Sequence, residues 1–139
     1  MDKIRSFLAV DFRGFFRDDL DPLIGALQKQ IPDVKWIRPE AAHITFHFFG
    51  SISQETVDAI ARVLEPAFAT QPSFSVSLEG LGAFPAWRHP RVFWVGLAGQ
   101  VEELKKLQKL AVPLLGAIGV GTESREFKPH LTLGRAREG

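Results

Sequence analysis

The chain is 139 residues long, enough for one domain or for two small lobes sharing a core. Apolar residues make up 45% and charged ones 24%, a globular mixture that argues against disorder, and 17 Lys and Arg against 16 Asp and Glu leave a net charge of +1. A global positive field of the kind that coats nucleic acid is therefore excluded; the absence of Cys and Tyr likewise excludes disulfide scaffolds, Cys-ligated metals, thiol nucleophiles and phenol chemistry.

The opening MDKIRSFLAVDF has a short apolar run broken by Asp11 and does not read as a signal peptide. No stretch reaches the roughly 18 apolar residues that a spanning helix needs, so a soluble, cytoplasmic protein is expected. Residues 5–12 (RSFLAVDF) read as a strand with its apolar residues bunched as in a buried central position. A helix follows, with Asp21 as N-cap, Pro22 at the first helical position and Leu23, Ile24, Leu27 and Ile31 on one face. Residues 34–37 form a short strand, 38–40 a turn, and 43–49 a strong strand closed by Gly50. Ser53 caps a second helix carrying Val57, Ile60, Ala61, Leu64 and Phe68. Residues 73–78 alternate as a strand with one wet face, 80–90 read as a Gly/Pro-rich loop, and 91–97 as another strand. A third helix bears Val101, Leu104, Leu107, Ala111 and Leu115 and kinks or ends near Pro113; residues 127–135 return to strand. Strands that often follow one another without a helix between them predict an α+β fold with largely antiparallel sheets.

One tetrapeptide pattern occurs twice. His43-Ile44-Thr45-Phe46 and His130-Leu131-Thr132-Leu133 both place His, apolar, Thr, apolar after an upstream Pro. Residues two apart on a strand share a face, so each unit presents an imidazole and a hydroxyl about 7 Å apart while its apolar residues enter the core. Two imidazoles and two hydroxyls, with no carboxylate cluster, suit in-line displacement at phosphorus. One His takes a proton from the attacking water, the other delivers one to the departing alkoxide, and the Thr hydroxyls donate to the non-bridging oxygens. Arg135, five residues past His130, is the candidate cation for the phosphate. Two readings of His47 stand: a cleft-lining residue sharing the parity of His43, or a partly buried imidazole bonded to a neighbour, which is preferred. His89, in a Pro-flanked loop, is expected at the surface. Four scattered His without an acidic residue in register make a poor metal-ligand set.

These motifs resemble those of the two-histidine (2H) phosphoesterase superfamily, and within it the RNA 2′,3′-cyclic phosphodiesterase (2′-5′ RNA ligase) family. RSFLAVDF, VKWIRPEAAHITFHFFG, PRVFWVGL and FKPHLTLGRAR resemble that family's opening strand, first motif region, central strand and second motif region, in that order. The resemblance implies a single domain over residues 1–139, a duplicated bilobal α+β fold with two mainly antiparallel sheets around a central cleft and helices packed outside, and no cofactor or metal. It also implies hydrolysis of an RNA terminal 2′,3′-cyclic phosphate to a 2′-phosphomonoester, with 2′-5′ ligation as the reverse reaction. His43 would be the proton donor, His130 the proton acceptor, Thr45 and Thr132 the phosphate holders, and Arg135 a substrate-binding cation; the sequence assigns the pair of histidines and not their order. Family members usually continue past the second motif, whereas this chain stops four residues after Arg135. Truncation, natural shortening and dimerisation by strand exchange are all open; a lobe lacking an edge strand would leave backbone groups for another chain to meet, and no obligate protein partner is evident. The competing functions are a phosphodiesterase acting on small cyclic or 2′,5′-linked nucleotides and a non-catalytic RNA-end binding module. In the latter, Trp36, Trp87 and Phe84 would stack on bases, although Trp36 suits the core equally.

Overall fold

The computed structural model describes residues 2–12, 16–85, 88–122 and 127–137. The chain runs β1 (Lys3–Asp11), α1 (Arg17–Gln30), β2 (Val34–Trp36), a 3₁₀ turn (Pro39–Ala41), β3 (His43–Ser53), α2 (Gln54–Ala69), β4 (Val76–Phe84), β5 (Val92–Gly99), α3 (Val101–Ala117) and β6 (His130–Ala136). β1 and β3 pair with each other, and the other four strands stand in the order β2-β6-β5-β4. β6 runs antiparallel to both β2 and β5. The fold is α+β with antiparallel sheets, as the order of elements implies.

Two compact units divide the chain. The first comprises Met1–Ala9, Thr45–Val76 and Gly99–Lys128. Its core is the α2–α3 pair, where buried Ile60 and Leu64 meet Ala111 and Leu115, and Leu8, Phe49, Ile52 and Phe68 close around them. Ser53 caps α2 as expected, its hydroxyl accepting the Thr56 N–H at 3.2 Å. Pro113 does not end α3, which continues to Ala117. A proline removes one backbone bond, and the buried residues on either side of it, Ala111 and Leu115, hold the helix face in place. β1 is no buried central strand: apart from half-buried positions it is exposed, because its sheet has two strands.

The second unit comprises Val10–Ile44, Ser77–Ala98 and Pro129–Gly139. Here α1 starts at Arg17, a turn earlier than an Asp21 cap implies, and Pro22 lies inside it. Burial of Phe16 and Leu20 accounts for the early start: Phe16 packs on Phe12 with ring centroids 5.1 Å apart, and its carbonyl accepts the Leu20 N–H at 2.7 Å. Asp18 and Asp19 then face the positive end of the helix dipole. β3 leaves this unit after Ile44 and, within the first unit, passes through Gly50 instead of ending there; the residue's φ of +72° turns the strand without stopping it. β4 likewise occupies residues read from sequence as loop, running through Gly80 and Gly82 to Phe84. Gly82 is required there because the indole of Trp94 fills the space a Cβ would take. β6 begins at His130, later than Phe127, and its Leu131 and Leu133 are fully buried. Replacing Leu131 by Ala should cost about 2–5 kcal/mol of unfolding free energy, read by urea titration, through lost burial and an unfilled cavity; a loss well under 1 kcal/mol would contradict this placement of the core.

Candidate active site

β6 carries the second motif, and its neighbours fix which way each side chain faces. Gly96 pairs with His130, Val95 with Leu131 and Trp94 with Thr132; the register then slips, so that Phe93 pairs with Gly134 and Val92 with Arg135. Paired residues share a face. Val95, Phe93, Leu131 and Gly134 are buried together, and Gly96, Trp94 and Val92 mark the opposite face, the one that bears His130 and Thr132. The extra residue in β6 at the slip has a direct consequence. Arg135 is an odd number of residues from His130 and would point the other way on a regular strand, but the bulge resets the alternation and returns it to the His130 face.

On the other side of β6, Lys35 of β2 pairs with Arg135, and Trp36 pairs with Gly134. Lys35 therefore shares the face of Arg135, whereas Trp36 belongs to the core side. Its ring lies 5.3 Å from that of Phe93 and its Nε1 donates to the Ile31 carbonyl at 3.1 Å. A Cβ on Gly134 would come within 2.7 Å of both Trp36 and Val34, so the bulge residue is small because the core reaches up to it. Trp36 is half-buried, and its Phe93 contact and Ile31 bond favour the core reading over base stacking. Phe84, by contrast, is 66% exposed; Trp87 lies outside the described residues.

The first motif begins within the same unit. The Ile37 N–H donates to the Leu133 carbonyl at 2.8 Å, which ties the chain to the second motif six residues before His43. The 3₁₀ turn follows, and the carbonyl of buried Ala42 accepts the Phe12 N–H at 3.2 Å. Along the start of β3, His43 and Thr45 are exposed while Ile44 and Phe46 are buried, as the alternation predicts. Nδ1 of His43 donates to the Ala41 carbonyl at 2.9 Å. A carbonyl only accepts, so the neutral ring keeps its proton on Nδ1 and its basic nitrogen is Nε2. The His130 ring lies 5.8 Å from the Trp94 indole. Trp94 is thus a neighbour of the second motif that sequence reading misses: its position in an apolar strand hides that it lies across from Thr132.

The burial phase of β3 changes at His47, which is 1% exposed, next to buried Phe46. Its Nε2 is 3.0 Å from the Gln108 carbonyl, while the Gln108 amide lies 3.5 Å from the Phe46 carbonyl. His47 is accordingly an interior residue joining β3 to α3, more deeply buried than its sequence suggests. His89 is exposed, as expected. Among the described residues no group of three or more His, Asp or Glu is placed to hold a metal ion, and no helix is long and apolar enough to cross a membrane.

Comparison with known proteins bears on the whole of this arrangement. The chain is 33% identical over 135 residues to an RNA 2′,3′-cyclic phosphodiesterase of Methanothermobacter thermautotrophicus, covering 97% of this chain and 72% of that one. It is 36% identical to the protein of the same name from Archaeoglobus fulgidus, covering 96% and 73%. Among solved structures, TT0787 of Thermus thermophilus superposes with a TM-score of 0.77 at 25% identity, covering 98% of this chain and 76% of the other. Apo LigT of E. coli shares the fold, with a TM-score of 0.73 at 23% identity and coverage of 100% and 76%. Residues 16–138, which include both motifs, match the family as a whole, and the chain belongs to the 2′-5′ RNA ligase superfamily.

Proposed function

We propose that this chain hydrolyses the terminal 2′,3′-cyclic phosphate of RNA to a 2′-phosphomonoester. The observation that carries the reading is the doubled motif. His43 with Thr45, and His130 with Thr132, stand on the solvent-accessible side of strands whose intervening residues are buried. Membership of the superfamily and likeness to relatives named for this activity support it.

In the proposed reaction His130 accepts a proton from water as the water oxygen bonds to phosphorus. The P–O3′ bond breaks in line, and the imidazolium of His43 gives its proton to O3′. The products are a 3′-hydroxyl and a 2′-phosphate, and the two rings end in exchanged protonation states that a proton exchange with solvent restores. Nδ1 of His43 is occupied by the Ala41 carbonyl, so Nε2 delivers the proton. Thr45 and Thr132 donate hydrogen bonds to the non-bridging oxygens, and Arg135, on the face of His130, balances their charge. The two imidazoles perform both proton transfers, so the chemistry calls for no metal. With a 5′-hydroxyl in place of water as the nucleophile, the same displacement joins two ends: the P–O5′ bond forms, the P–O3′ bond breaks, and the product is a 2′,5′ bond beside a free 3′-hydroxyl. The substrate is an RNA end, and the proposed setting is the cytoplasm.

Rates on a cyclic-ended oligoribonucleotide should fall by about 10²–10⁴-fold in His43→Ala and in His130→Ala. Retention of the full rate by either variant would sink the proposal. The wild-type rate should pass through a maximum with pH, as expected when one ring must be neutral and the other charged, and should survive EDTA. Trp94→Ala should lower kcat by loosening His130, with Trp94→Phe restoring most of it; an unchanged kcat in Trp94→Ala would leave the indole with a packing role alone.

A further inference from the structure

The β2–β6 ladder places Lys35 directly opposite Arg135, on one face. Like charges opposite each other on a sheet repel, so the arrangement weakens the ladder unless an anion lies across it. Both side chains are exposed, and among the described residues neither forms an ion pair with a carboxylate. Asp33, immediately before β2, accepts the Arg137 N–H at its backbone carbonyl at 3.1 Å. Along the unbulged β5, the step from the partner of Thr132 to the partner of Arg135 is two residues, or about 7 Å; with strands about 4.8 Å apart, the Lys35 Cα stands about 8–9 Å from that of Thr132. That is one residue column beyond the phosphate held by Thr132 and Arg135. The flexible lysine stem extends its charge further in the same direction.

We propose that Lys35, beside Arg135, binds the phosphodiester immediately 5′ of the cyclic end. This makes an oligonucleotide, and not a mononucleotide, the preferred substrate, and it rests on the cyclic phosphodiesterase reading. A single-stranded substrate with a second phosphate gains one more cation contact and one more released counterion than a nucleoside 2′,3′-cyclic phosphate does. Selectivity for RNA ends then comes from the β2–β6 ladder, outside the residues that perform the proton transfers.

The test compares cytidine 2′,3′-cyclic phosphate with a trinucleotide bearing the same cyclic end, in wild type, Lys35→Gln and Lys35→Arg, at several salt concentrations. For the trinucleotide, Lys35→Gln should lower kcat/KM by about 3- to 10-fold at low salt and make the slope of log kcat/KM against log salt shallower by about 0.7. The mononucleotide should change less than twofold, and Lys35→Arg should restore the trinucleotide rate. Equal effects on both substrates, or none on either, overturn the proposal; no effect is what a lysine that only guards a sheet edge would give. Binding of the trinucleotide 2′-phosphate product, read by fluorescence anisotropy, separates the two levels of inference. Wild type that cleaves neither substrate defeats the cyclic phosphodiesterase reading, whereas a dissociation constant unmoved by Lys35→Gln defeats the subsite whatever the turnover.

Discussion

The hydrogen-bonded ladder on both sides of β6 is the constraint from which the site follows. Leu131 and Leu133 are fully buried, so the strand cannot rotate or slip by one residue without driving His130 and Thr132 into hydrocarbon. The same ladder orients three further residues. Trp94 is set across from Thr132, Arg135 is turned outward by the bulge, and Lys35 is laid beside it. Two glycines make this possible: Gly134 leaves room for Trp36 beneath the sheet, and Gly82 leaves room for Trp94. Core packing and site geometry are in this sense one problem, solved by where side chains are absent.

Alternation within each motif was legible in the sequence because strand periodicity is local. The pattern His, apolar, Thr, apolar names its own inward and outward faces, and burial agrees at Ile44, Phe46, Leu131 and Leu133. The capping of α2 by Ser53 was equally plain. Other features depend on contacts distant in sequence. The start of α1 is set by burial of Phe16 and Leu20, which overrides the Asp-Pro signal at residues 21 and 22. Glycines at 80 and 82 look like loop residues until the Trp94 ring is seen to need the space.

Arg135 shows why a candidate can be named without its reason. Proximity to the second motif suggested it, but strict alternation places it on the wrong face; the bulge, which no local pattern announces, corrects the parity. Lys35 was invisible for a related cause, since a single Lys in a three-residue strand has no signal apart from its cross-strand partner. His47 is the reverse case. Its parity matches that of His43, yet the burial phase of β3 changes before it and the ring is interior, bonded to the Gln108 carbonyl. Both motif histidines lie in one compact unit, linked through Ile37 and the 3₁₀ turn, while Thr45 opens the next segment of the other.

The claim at the centre is that His43 and His130 act on a single phosphorus atom in one step. A double-variant cycle on hydrolysis of a cyclic-ended RNA measures this directly. Groups that serve one transition state are strongly non-additive, so His43→Ala/His130→Ala should be about as slow as the slower single variant. Losses that multiply, each variant lowering the rate by its full factor regardless of the other, would mean that the two imidazoles work independently and would contradict the account.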